Sequence, residues 1–74
     1  MIIVKAAHDA EAGVWFTESG DVHGLRIEAA TLEALIERVP LAIQDLLGAE
    51  GETQDVLIEV IAHASTRVRL GLAA

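Results

Sequence analysis

Hydrophobic positions change their period along this chain, and the changes divide it into five elements. "MIIVKAAHD" (Met1 to Asp9) alternates weakly and is rich in β-branched residues, which predicts a first strand. Asp9 to Gly13 is a polar turn with a glycine available for positive φ. "VWFTES" (Val14 to Ser19) predicts a second strand, antiparallel to the first across that turn. Gly20 to Gly24 is a glycine-flanked loop, and Leu25 to Ala29 a short third strand.

The period then becomes helical. Leu32, Leu35, Ile36, Val39, Ile43, Leu46 and Leu47 fall at the three-and-four spacing of one buried face. Thr31 is the expected N-cap, because its hydroxyl can accept from the backbone amides of the first turn. Glu33 sits at the positive end of the macrodipole. Pro40 removes one helix donor, which costs roughly 3 kcal/mol in a regular helix. The apolar stripe nevertheless continues in phase from Val39 to Ile43. One kinked helix is therefore expected, ending at Gly48, with Ala49 to Gln54 as the loop that follows.

Asp55 to Leu70 returns to alternation, with Val56, Ile58, Val60, Ala62, Ala64, Val68 and Leu70 on one parity. This predicts a strand about three times the common length. Either a bulge breaks it near Ser65 and Thr66, or its far end outruns the other strands and offers unpaired backbone to another chain. A helix is the alternative, opposed by the β-branched residues.

The order β-β-β-α-β defines a single α+β domain over residues 1–74, an antiparallel sheet with one kinked helix on one face. One helix covers one face only. Trp15 and Phe16 are neighbours on a strand and point to opposite faces, so one aromatic ring belongs to the uncovered side. Ile3, Trp15, Leu57 and Ile61 are the expected residues of a homodimer interface there.

Composition supports association. At 74 residues the chain buries only about 60% of its unfolded surface. It has no cysteine, so disulfides cannot compensate, and its 53% hydrophobic content favours a second chain. No apolar run approaches the roughly 20 residues of a membrane span, and the N-terminus lacks the pattern of a secretory signal, so a cytoplasmic location is expected. The formal net charge is −7. All twelve acids lie between Asp9 and Glu59, opposed there only by Arg26 and Arg38. Such a body repels phosphate, which disfavours direct nucleic-acid binding and favours a basic protein partner.

The stretch "DAEAGVWFTESGDVHGLRIEAATLEALIERV" resembles the HicB-like antitoxin family, in particular small stand-alone domains related to HicB. The matching features are Asp9 and Glu11, Trp15, Asp21 with Gly24 and Leu25, Glu28 with Ala29, and Thr31 with Glu33. His23 stands where relatives commonly have proline. The resemblance implies a truncated ribonuclease-H-like or ferredoxin-like sheet, and an antitoxin that covers the active site of a small basic ribonuclease. Family members usually add a C-terminal DNA-binding module, and none is expected within residues 1–74.

Chemistry is poorly supported by comparison. His8, His23 and His63 have no metal-ligand spacing, and Ser19, Asp21 and His23 lack a nucleophile elbow. Glu18 and Asp21 could join a carboxylate–metal nuclease site, but three inward acids on adjacent strands are not apparent. The expectation is a non-enzymatic interaction domain without cofactor or metal, masking a basic toxin with Asp9, Glu11, Glu18 and Asp21. An orphan structural homodimer is the alternative, and a small carboxylate-dependent nuclease a more distant one.

Overall fold

The computed structural model of the protein describes residues 1–48 and 55–71. The first strand, β1 (Ile2–Asp9), turns through residues 10–13 into β2 (Val14–Thr17). Gly13 takes φ 68° and its amide donates to the Asp9 carbonyl, while Asp9 Oδ1 accepts from the amides of Glu11 and Ala12. The expected turn is thus closed by the aspartate that opens it.

β2 is shorter than its sequence pattern because Thr17 ends it. The Thr17 hydroxyl accepts from the Ile27 amide at 3.0 Å and donates to the Leu25 carbonyl at 3.2 Å. The Thr17 amide still donates to the Ile27 carbonyl at 3.1 Å, but the return bond goes to the hydroxyl and not to the backbone, so only Glu28–Ala29 forms β3 and residues 25–27 run beside β2 without continuing it. From Glu18 onward the chain turns to β1 instead. The Glu18 amide donates to the Lys5 carbonyl, and Asp21 engages Ile3 through both its amide and its carboxylate.

The helix α1 (Leu32–Leu47) is continuous across Pro40. Thr31 caps it, accepting from the Ala34 amide, and Gly48 closes it in the left-handed conformation with its amide bonded to the Gln44 carbonyl. Its buried line is narrower than the seven-residue stripe suggested. Leu35, Val39 and Ile43 are buried, whereas Ile36, Leu46 and Leu47 are exposed. The core joins that line to Val4, Ala6, Leu25, Ile27 and Ala29.

The last strand, β4 (Ile58–His63), lies beside β1, giving the order β3-β2-β1-β4. The α+β class and element order follow the sequence pattern, with one correction: the sheet is mixed, because β4 is parallel to β1. The helix carries the chain back along the sheet, so the strand after it runs in the direction of the strand before it. β4 is also much shorter than Asp55 to Leu70. Its register with β1 ends at Ala7↔His63, and β1 itself runs only two residues further, so residues 64–71 are exposed and outside the sheet, and from residue 66 they have outrun their neighbour. The loop expected at 49–54 lies outside the described residues. Among the described residues, no helix is long and apolar enough to cross a membrane.

Candidate functional site: the uncovered sheet face

Strand register assigns each side chain to a face. Val4, Ala6, Ala29, Ile58, Val60 and Trp15 pack with the helix. The opposite face carries the other parity, including a row that crosses all four strands: Glu28, Phe16, Ala7 and His63. Beside it lie Lys5 opposite Ile61, with Glu18 on the β2 side, and Ile3 opposite Glu59. This face therefore presents Glu18, Glu28 and Glu59 around half-exposed apolar side chains, together with Lys5, and the Arg38 guanidinium donates to the Glu28 carbonyl at its border.

Trp15 does not belong to the expected homodimer patch. It packs against the core cluster, its ring centroid 4.9 Å from that of His8. Phe16 takes the place on the uncovered face. Ile3 and Ile61 do lie on that face, and Leu57 precedes β4, its carbonyl accepting from the Ile2 amide. Strand geometry says that the two rings diverge, but choosing between them requires knowing which face the helix covers.

The four acids expected to meet a partner are differently employed. Asp9 closes the β1–β2 turn, and Asp21 accepts from the Ile3 amide at 2.8 Å. Glu18 Oε2 lies 3.0 Å from His63 Nε2, a contact between exposed side chains. Glu11 is exposed at the tip of the turn. Sequence reasoning missed Glu28 and Glu59 as surface acids of this face. For Glu59 the parity with Ile61 was the available signal, whereas Glu28 joins Phe16 through a strand register that parity alone does not give.

A cleft of about 530 Å³ adjoins the face beneath the β2–β3 connection, where Phe16, Glu18, Val22, His23, Arg26 and Glu28 contribute to its walls. Among the described residues, no group of three or more His, Cys, Asp or Glu side chains is placed to hold a metal ion. His8, His23 and His63 sit in separate surroundings: against Trp15, in the loop, and beside Glu18.

The architecture defines a small two-layer α+β domain with one helix on a four-stranded mixed sheet. The chain belongs to the family described as domain of unknown function DUF1902, whose model matches residues 1–72. It is similar to the crystal structure of the hypothetical protein TTHA1013 from the extremely thermophilic bacterium Thermus thermophilus. The two share 38% identity with a TM-score of 0.63, over 93% of this chain and 97% of that one. No curated protein matches the sequence.

Proposed function

We propose that this domain is a non-enzymatic protein-interaction module of the HicB antitoxin type, whose acidic surface covers a small basic ribonuclease. The observation that carries this reading is the uncovered face, where Glu18 and Glu28 flank the half-exposed ring of Phe16 beside an open cleft. An apolar centre with a charged border is the anatomy of an interface between proteins. The formal net charge of −7 fits a cationic partner, through faster encounter and through rejection of acidic competitors. The resemblance over the turn, loop and capped helix supplies the identity of that partner's class.

The test is affinity capture of the tagged chain from its native cells, followed by an assay of the captured protein. The expected result is one small basic protein in near-equal amount, with a ribonuclease activity that added domain suppresses. Glu28→Lys in this chain should weaken that suppression. Recovery of the bait alone, or of a protein whose activity the domain leaves untouched, overturns the reading.

A further inference from the structure

Residues 64–71 leave the sheet as an exposed arm, and the arm is apolar where it would be expected to be hidden. Val68 is 71% exposed and Leu70 64%. β4, from which the arm continues, is an edge strand: β1 lies along one side, and among the described residues no strand lies along the other. An open edge followed by an unpaired segment whose sequence alternates invites strand addition.

The two features are complementary in sequence. Val68 and Leu70 share the parity of Ile58 and Val60, which pack against the core. Arg67 and Arg69 share the parity of Glu59 and Ile61 on the uncovered face. The arm thus carries an apolar side and a basic side, and the β4 edge carries an apolar side and an acid.

We propose that two copies of this chain exchange their arms, each arm lying antiparallel along the β4 edge of the other. Opposed residues of an antiparallel pair share a face. A two-fold axis through Ala64, perpendicular to the sheet, places Val60 opposite the second copy's Val68 and Ile58 opposite its Leu70. The same register puts Glu59 opposite the second copy's Arg69. Apolar side chains meet on the helix side, and carboxylate meets guanidinium on the other. A slip of one residue would set Val68 against Glu59 and Arg69 against Ile58, so the register is specified by chemistry. A second copy is the occupant favoured over a foreign strand because arm and edge fit one another and occur in one chain. The dimer would leave Phe16 and Glu28 open, so it stands or falls separately from the toxin reading.

Sedimentation equilibrium of the purified chain should give twice the 7.8 kDa monomer mass. Glu59→Arg and Arg69→Glu should each weaken dimerisation about tenfold or more, and the double variant should restore it. Val68→Pro, in the arm and outside the folded core, should yield a monomer that still unfolds cooperatively in urea. The chain has no cysteine, so Ala64→Cys offers a single thiol per copy. Opposed Cα atoms would stand about 4.5–5.5 Å apart, within disulfide reach, and oxidation should cross-link the dimer. A monomeric parent protein, a dimer indifferent to Val68→Pro, or a double variant without rescue overturns the arm exchange.

Discussion

Glu18 and His63, forty-five positions apart in sequence, meet across β1, with Oε2 and Nε2 3.0 Å apart. The contact joins the end of β2 to the end of β4 and runs diagonally over the row that contains Ala7. Ala7 is only 5% exposed although no helix covers it. Its neighbours in the row are Phe16 and His63.

Both partners of this contact are solvent-exposed, which limits its energetic weight. Exposed pairs of this kind contribute about 0.2–1 kcal/mol. A double-mutant cycle with Glu18→Gln and His63→Ala, followed by urea unfolding, should give a coupling energy inside that range. A coupling of several kcal/mol would mean that the pair organises the sheet.

Gly20 tests the departure of the chain from β2. A Cβ at this position would stand 2.8 Å from the Ile3 carbonyl oxygen and 3.4 Å from Val4 Cα. Both are backbone atoms of the central strand, so neither can swing aside. Gly20→Ala should destabilise by about 1–3 kcal/mol, as overpacking does. The loss should appear as a lower urea midpoint with an unchanged slope.

Element order, the capped helix and the aspartate turn were legible in the sequence because each depends on local chemistry. Thr31 meets the Ala34 amide one turn on, and Asp9 meets Glu11 and Ala12 within its own turn. The direction of β4 was not legible, since alternation is identical in parallel and antiparallel strands. Nor was the assignment of Trp15 and Phe16 to their faces, which depends on where α1 docks. The double use of Asp21, as a surface acid and as acceptor for Ile3, needs a contact eighteen residues away. For the uncovered face, parity grouped Ile3 with Leu57 and Ile61 but could not say which of the two aromatic rings the helix left beside them.

Thr17 is the place where a side chain takes over from a strand. Its hydroxyl bonds to Ile27 and Leu25 at once in a half-buried position. Thr17→Val keeps the shape and removes both bonds, leaving the Ile27 amide without its acceptor. The expected loss is about 1–3 kcal/mol. Amide exchange at Ile27 should accelerate by more than at the Val4 amide in the central strand. Equal acceleration at both sites would point to global unfolding and remove Thr17 from this role.

The helix offers a paired comparison of the same residue type on opposite sides. Leu35 is fully buried in the core, whereas Leu41 is 65% exposed. Truncating a buried leucine costs about 2–5 kcal/mol through lost transfer energy and the cavity left behind. A chain of 74 residues has about 4–11 kcal/mol of stability in total. Leu35→Ala should therefore approach the limit of folding, with a fall in thermal midpoint of ten degrees or more, about 4–8 °C for each kcal/mol. Leu41→Ala should stay within about 0.5 kcal/mol of the parent if the exposed helix surface is simply solvated. A large cost at Leu41 in a concentrated sample that vanishes on dilution would show that this side of α1 is covered by another molecule, and would place a contact surface on the helix.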